Sequence, residues 1–278
     1  MQKLLIIMTI AIFCSSCKKD DDSLQIYLDK LKEYPLYDNE EQVNYSFSYM
    51  DSSNVNLHNQ KEKYKLDSIA GEDDELSKIT NLMFWVNTNV RHDGSAKNPY
   101  PQNANNIIET SKRENRGVNC RMLAIVLNEF YLSMGFKSRF VTCEPYELKF
   151  TDCHVVTIVY SNQLNKWIMM NPSFAGYFKD ENDVFLDLSE VRKRLINNET
   201  LIISNFLNHN RGRYTKQEYK TYMSKNLFRF VCPVKSEYNY EALNSNQKKY
   251  IELIPVNYIS DGSSDIHTKN SIVFWAKP

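Results

Sequence analysis

The stretch that most constrains this chain runs from Arg116 to Gly135, where a short polar loop leads into an apolar segment that ends at a glycine. Apolar residues recur at steps of three and four, as on one face of a helix, and others occupy the opposite side. Polar residues are confined to four positions, Arg121, Asn128, Glu129 and Ser133. The pattern predicts a helix buried nearly all round, with Gly135 in the left-handed position that follows a helix C-terminus.

One cysteine, Cys120, falls on the first turn of this predicted helix. There the positive end of the helix dipole and unpaired backbone N–H groups favour thiolate over thiol, as a nucleophilic cysteine requires. Gly117 lets the preceding loop approach its neighbours closely. A free cysteine is more often a small buried hydrophobic residue, so Cys120 alone does not establish a reaction.

The remaining composition is that of an ordinary globular chain. Hydrophobic residues make up 42% of the 278 residues and charged residues 24%, so the chain is long enough to bury a sizeable core. Basic and acidic residues balance to a formal net charge of zero. Because such a chain has no electrostatic footprint for nucleic acid, we expect no nucleic-acid partner.

The first sixteen residues are typical of an export signal: Lys3 is followed by an apolar run and by two serines before Cys17. The apolar run is too short to cross a bilayer as a helix. The arrangement resembles a bacterial lipoprotein signal, in which residues 1–16 are removed and the next cysteine is lipidated, although Cys14 departs from that pattern. We therefore expect a protein of the bacterial cell envelope, anchored by lipid on Cys17 at the outer membrane, on its periplasmic face or at the cell surface.

Residues 17–71 are expected to form a charged tether and an N-terminal helical or irregular segment, with one helix over 23–33. From Asp73 to Arg91 an apolar face at helical spacing predicts a second helix, and Asn105 to Arg113 is a candidate short helix. His92 lies in the turn between them, where a histidine is more often solvated than catalytic.

After Gly135 the pattern changes to that of strands, predicted over 137–142, 154–160 and 166–170 with a polar turn before the last. Antiparallel pairing of the last two brings His154, at the start of one strand, and Asn171, after the next, to the same end of the sheet. A nucleophile, a base and an orienting group therefore follow one another along the chain.

These motifs are similar to the core of the transglutaminase-like superfamily of papain-like cysteine enzymes. The resemblance covers roughly residues 72–200 and rests on four runs: Gly117-Val118-Asn119-Cys120-Arg121 with its helix, Ser138-Arg139, His154-Val155-Val156, and Lys166-Trp167-Ile168-Met169-Met170-Asn171-Pro172-Ser173. In that family a helix-borne cysteine attacks a carboxamide or peptide carbonyl, a strand histidine is its proton partner, and an aspartate orients the histidine. The resemblance implies the first two roles for Cys120 and His154.

The third position departs from the family, because Asn171 stands where an aspartate usually precedes proline. A histidine that deprotonates serine needs a carboxylate to stabilise the imidazolium, whereas a cysteine–histidine couple can already be an ion pair at rest. An amide oxygen can then accept the His154 N–H and hold the ring. Asn171 is therefore the candidate orienting residue, with Asp152 as the next place to look.

Neither a cofactor nor a metal ion is expected. Cys143, Cys153 and His154 could suggest zinc, but the chain beyond Cys17 has no C-x-x-C pair. If Cys120 is a free nucleophile, the remaining cysteines, Cys143, Cys153 and Cys232, allow at most one disulfide, whose pairing the sequence does not specify.

Toward the C-terminus a basic helix is expected over 188–196 and another from the capping box Thr215 to Glu218. Strand-like runs follow at 227–232, 250–255 and 271–275. They predict a β-rich extension packed on the core, whose aromatic residues either line a substrate groove or, more commonly, fill the core. His209 and His267 receive no role.

The expected fold class is α+β: a papain-like, transglutaminase-like core over 72–200, in which the buried cysteine helix packs on an antiparallel sheet, with a β-rich extension over 201–278. The expected function is that of an exported, lipid-anchored cysteine enzyme that transfers acyl groups at peptide or carboxamide bonds through Cys120, His154 and Asn171, as a protease, amidase or transglutaminase. Its partners would be a peptide, protein or cell-wall peptide substrate, and the membrane through the N-terminal lipid. The alternative is a catalytically inactive transglutaminase-like scaffold that acts as a surface binding or structural protein.

Overall fold

A computed structural model describes residues 23–150, 152–260 and 264–278 of the chain. The expected signal peptide over 1–16, the lipidation site Cys17 and the charged tether lie outside the described residues. The helices are α1 (23–33), α2 (Val55–Tyr64), α3 (Leu66–Ala70), α4 (Glu75–Asn89), α5 (Ala104–Arg113), α6 (Cys120–Ser133), α7 (Leu188–Asn197), α8 (Lys216–Asn226) and α9 (Ser271–Phe274).

The main sheet has six strands in the order β12-β11-β9-β2-β3-β4. Its strands are β2 (Ser138–Glu144), β3 (His154–Ser161), β4 (Lys166–Met170), β9 (Arg229–Pro233), β11 (Tyr250–Leu253) and β12 (Ile266–Thr268). Short two-stranded pairs join β1 (Ser48–Tyr49) to β10 (Lys235–Ser236), β5 (Phe178–Lys179) to β6 (Ile202–Ile203), and β7 (Asn208–His209) to β8 (Gly212–Arg213). The fold is α+β, as predicted.

Both faces of the sheet are covered, which explains why β3 reads as a continuous β-branched run instead of an alternating one. Val155 and Val159 pack in the cluster with α4, α5 and α6, whereas Val156 and Ile158 pack in the cluster with α7, α8 and α9. Each apolar cluster thus takes every second side chain of the strand.

The helix α6 is buried nearly all round, as its sequence predicts: every residue from Met122 to Ser133 is buried. Its C-terminus closes in a Schellman motif, in which Gly135 N–H donates to Leu132 O at 3.0 Å and Phe136 N–H to Tyr131 O at 3.0 Å. Gly135 has φ +84°, the left-handed conformation expected of it. Thr157 Oγ1 donates to Ala124 O at 3.1 Å and ties the helix to β3.

The predicted helices over 23–33, after Asp73, before Arg113, over 188–196 and after Thr215 are all confirmed, as are the strands of the hairpin β3–β4. The strand predicted over 271–275 is wrong, because the chain forms the short helix α9 there. The side chain of Asn270 accepts the Val273 N–H at 3.0 Å and so starts a helical turn, overriding the β preference of Ile272 and Val273.

Helices α2 and α3 lie in the segment over 17–71 that the sequence predicts to be helical or irregular, but no pattern locates either helix. The buried residues of α2 are Leu57 and Gln60, so the helix has no repeating set of apolar residues from which a sequence pattern could identify it. Among the described residues, no helix combines the length and the apolar character needed to span a membrane.

Candidate active site

Cys120 is the first residue of α6, and its thiol is only partly exposed. Asn119 caps the helix by accepting the Met122 N–H at 3.1 Å. The backbone N–H groups of Val155 and Arg121 hydrogen-bond to the thiol and lower its pKa. Since Val155 follows His154 directly, the helix delivers its cysteine to the start of strand β3.

The pKa of the Cys120 thiol is nevertheless raised above its ordinary value, because the loss of hydration on burial outweighs both hydrogen bonds and the charge of Arg121. The carboxylate of Asp152 adds to the increase. The sequence-based expectation of a thiolate favoured by the helix N-terminus is therefore not met in this conformation. Cys120 rests as a thiol at neutral pH.

His154 is 1% exposed, and burial lowers the pKa of its imidazole to about 4. Hydrogen bonding to Asn171 and the charge of Asp152 raise the pKa, while the neighbouring His92 lowers it further, and burial prevails. His154 is therefore neutral at pH 7. The resting couple consists of a thiol and a neutral base, whereas the sequence argument allowed an ion pair.

Asn171 lies just beyond β4 and is fully buried. Its Oδ1 accepts the Ser173 N–H at 3.2 Å, and its Nδ2 donates to Tyr219 Oη at 3.0 Å. Asn171 also raises the pKa of His154 by hydrogen bonding, yet Nε2 of His154 is buried without a partner of good geometry among the described residues. The contact between amide and ring thus falls short of a well-formed hydrogen bond.

Helix α8 supplies two tyrosines to the same place. Tyr219 Oη holds the amide of Asn171, and Tyr222 Oη lies 3.5 Å from Nδ1 of His154 and 3.4 Å from Oδ1 of Asp152. Asp152 is also paired with Lys225 of the same helix at 3.0 Å. Two residues of α8 therefore contact Asp152, and the charge of its carboxylate raises the pKa of His154.

A pair of histidines adjoins the site. His92 Nδ1 and His209 Nε2 are 2.9 Å apart, and the ring of His209 stacks on Phe174 with centroids 4.9 Å apart. Phe174 in turn contacts the ring of His154, with centroids at 5.5 Å. Burial and the neighbouring His209 lower the pKa of His92 to about 4. The solvated turn expected for His92 is thus partly buried against the hairpin β7–β8.

Gly117 makes this arrangement possible. A Cβ at this position would lie 2.6 Å from Cβ of Asp93 and 2.9 Å from the backbone of His92. Val118 N–H donates to Arg91 O at 2.9 Å, and Asp93 N–H donates to Val118 O at 2.8 Å. Gly117 therefore allows the close approach that the sequence predicts, and the cysteine loop packs against His92.

The four cysteines within the described residues, Cys120, Cys143, Cys153 and Cys232, are free. Within the described part of the chain, no group of three or more His, Cys, Asp or Glu side chains is arranged to hold a metal ion. The groups available for chemistry are the thiol of Cys120, which hydrogen-bonds to the Val155 N–H, and the buried imidazole of His154 on the same strand.

Sequence reasoning missed His92, His209, Tyr219 and Tyr222. His209 and His92 are separated by 117 positions in the chain, so no local pattern could pair them. The capping box at Thr215 predicted the start of α8 correctly. The spacing of apolar residues in α8 could not show which of its tyrosines would contact His154.

Comparison with known proteins supports the family but not a close relative. Residues 62–172 match the family model of the Transglutaminase-like superfamily. Cys120, His154 and Asn171 all lie within the matched residues. No curated protein matches the chain. One solved structure, "The Crystal Structure of a Putative Cysteine Protease from Cytophaga hutchinsonii", is similar at 14% identity with a TM-score of 0.33; the alignment covers 53% of this chain and 49% of that chain. The resemblance that the sequence motifs indicated is confirmed: residues 62–172 of this chain match the family model of the transglutaminase-like superfamily.

Proposed function

We propose that the protein is a cysteine enzyme that transfers acyl groups at peptide or carboxamide bonds, with Cys120 as nucleophile, His154 as proton carrier and Asn171 as orienting residue. What supports the proposal is that the backbone N–H of Val155, the residue after His154, lowers the pKa of the Cys120 thiol by hydrogen bonding, while Asn171 raises the pKa of the His154 imidazole. In this proposal three residues far apart in the sequence act together at the start of β3.

Because thiol and imidazole both rest neutral, His154 would act as a general base. As sulfur attacks the carbonyl carbon, the thiol proton passes to the imidazole. The same proton then goes to the nitrogen of the leaving amine as the C–N bond breaks, and a thioester remains on Cys120. Water or an amine then gives a proton to His154 and attacks the thioester carbon. The C–S bond breaks, the sulfur takes the proton back from the imidazolium, and a carboxylic acid or a new amide is released.

The oxyanion would be stabilised by the backbone N–H of Cys120, one of the unpaired donors at the start of α6. The acceptor, water or amine, decides between hydrolysis and transamidation. Peptides, proteins or cell-wall peptides are the substrates proposed.

Site-resolved alkylation by iodoacetamide tests the couple without knowledge of the substrate. At pH 6–7 we expect Cys120 to react faster than Cys153, a partly exposed thiol whose pKa burial raises to about 11. His154→Ala should remove this preference, since the base that accepts the proton is lost. Cys153→Ser is the matched control and should leave the rate at Cys120 unchanged. Equal reactivity of Cys120 and Cys153 would refute the proposal.

The alternative function, an inactive scaffold that binds a partner, is favoured by one observation. The raised pKa of the Cys120 thiol and the lowered pKa of the His154 imidazole both oppose the reactive ion pair. An alkylation rate at Cys120 that does not depend on His154 is the result that this alternative predicts.

We also propose that the protein is exported and anchored by lipid on Cys17. The proposal rests on the basic residue, apolar run and serines that precede this cysteine in the sequence. In a bacterial host, labelling with radioactive palmitate should follow Cys17 and disappear in Cys17→Ser. An unlabelled wild-type chain would contradict the anchor.

A further inference from the structure

A second concave site lies next to the cysteine loop and takes no part in the proposed reaction. It is a cavity of about 350 Å³ enclosed by the end of α4, the end of α5 with the loop after it, and the turn between β7 and β8. This volume is at the lower end of the range for small-molecule sites.

The charged side chains that line the cavity are all basic: Arg91, Lys112, Arg116 and Arg211. The chain as a whole carries equal numbers of basic and acidic residues, so the excess is local. Asparagine amides complete the lining, among them Asn115 and Asn210. Four like charges around one cavity repel one another, and a bound anion would relieve that repulsion.

Little in the described part of the chain neutralises these charges. Arg116 is paired with Glu114 at 2.7 Å and donates to Lys97 O at 2.8 Å. Arg91 donates to Asn115 O at 3.5 Å, and its charge lowers the pKa of the Asp93 carboxyl. Within the described residues, no ion pair forms at Arg91, Lys112 or Arg211. Donors therefore remain available to a ligand.

The wall formed by the β7–β8 turn is held in place. The side chain of Asn210 accepts the His92 N–H and donates to His92 O, each at 2.8 Å. Arg211, the next residue, has φ +65°, a conformation that costs a residue with a Cβ free energy. The turn thus presents its arginine from a fixed backbone, which lowers the entropy lost on binding.

We propose that this cavity is a binding site for a small oxyanion, either a phosphate or a carboxylate group. Arginine guanidinium groups donate to both in bidentate fashion, and the asparagine amides supply neutral donors. The proposal does not depend on the reaction at Cys120. Because Arg116 leads into the cysteine loop and Asn210 binds the backbone of His92, a bound anion would link the three segments that frame the candidate active site.

Isothermal titration of the full chain, with inorganic phosphate in one arm and succinate in the other, tests the proposal. We expect saturable binding of at least one anion that weakens with added salt. Arg211→Asn should lower the affinity about tenfold, as should Arg91→Gln, because each removes a charged donor. Asparagine tolerates the left-handed conformation, so the first variant keeps the turn.

The matched control is Arg213→Gln, an exposed arginine of the same hairpin that does not line the cavity. Its affinity should stay within about twofold of the wild type. Tighter binding of phosphate would identify a phosphate site, and tighter binding of succinate a carboxylate site. Absence of saturable binding of both anions to the folded wild type, or an equal loss in Arg213→Gln, would overturn the proposal.

Discussion

Two regions of the molecule contribute to the candidate active site in different ways. The region 62–172 carries the thiol, the imidazole and the amide, on α6, at the start of β3 and after β4. The region after it carries the groups that touch them: Tyr219 on Asn171, Tyr222 near His154, and the hairpin β7–β8 against His92. The first region carries the candidate reactive groups, and the second supplies side chains that contact them.

The difference shows how much local chemistry the family motif leaves open. Where an aspartate would accept the histidine N–H directly, the amide of Asn171 is shared between Ser173 and Tyr219. Helix α8 therefore takes part in setting the direction of an amide that the motif alone does not fix.

The largest expected effect comes from Gly176→Ala, which displaces Tyr219, the residue of the second region that contacts Asn171. The new Cβ would lie 2.6 Å from Oη and 2.7 Å from Cζ of the buried Tyr219. We expect a loss of about 1–3 kcal/mol in the free energy of unfolding, measured in denaturant, and slower alkylation of Cys120 as Tyr219 moves from Asn171. Gly94→Ala, whose nearest contact would be 3.8 Å, is the matched control. An unchanged stability would show that α8 yields freely and does not hold the site.

Asn171→Asp has the next largest expected effect. It tests whether the region 62–172 can orient His154 without help from α8 when the aspartate that is usual in the family stands at this position. A carboxylate beside the imidazole should raise the pKa of His154 from about 4 by about one unit. The acid limb of Cys120 alkylation should then move to higher pH. Asn182→Asp, at an exposed position, should leave the profile unchanged.

The same variant has a consequence for stability. Between pH 4 and the ordinary histidine value near 6.5, the unfolded chain binds more protons at His154 than the folded chain does, so acidification through this window destabilises the protein. With a higher folded-state pKa, Asn171→Asp should lose less stability over that window. Superimposable profiles for variant and wild type would place Asn171 outside the histidine couple.

Tyr222→Phe should have the smallest effect. Its hydroxyl is 3.5 Å from Nδ1 of His154, a long contact, so we expect the alkylation rate at Cys120 to change only about two- to fivefold, with the fold intact. Tyr100→Phe, on a side chain that is 77% exposed, is the control. A loss as large as that of His154→Ala would instead make Tyr222 a participant in proton transfer.

The fold of the first region was largely predictable, because most of its helices and strands carry their own period or end at a glycine. Gly135 and the β-branched run of β3 act locally, so the sequence alone identifies them. The electrostatics were not predictable. The pKa values of Cys120 and His154 depend on burial by distant segments, which reversed the thiolate expected from the helix N-terminus alone. The roles of Cys120, His154 and Asn171, and the division of the chain at residues 72 and 200, stay predictions.

The strand order of the main sheet also means that the sheet can form fully only after the C-terminal strands have been synthesised. Strand β2 lies between β3, its neighbour in the sequence, and β9, which begins only at Arg229. Until β9 has been synthesised, one edge of β2 presents unpaired N–H and C=O groups that can join another chain. The buried guanidinium of Arg229 then pairs with Glu144 at 3.1 Å and with Glu252 at 2.7 Å, across three adjacent strands. A nascent chain thus completes its main sheet late, and we expect a shortened gene product that ends after Asn171 to aggregate, although it contains Cys120, His154 and Asn171.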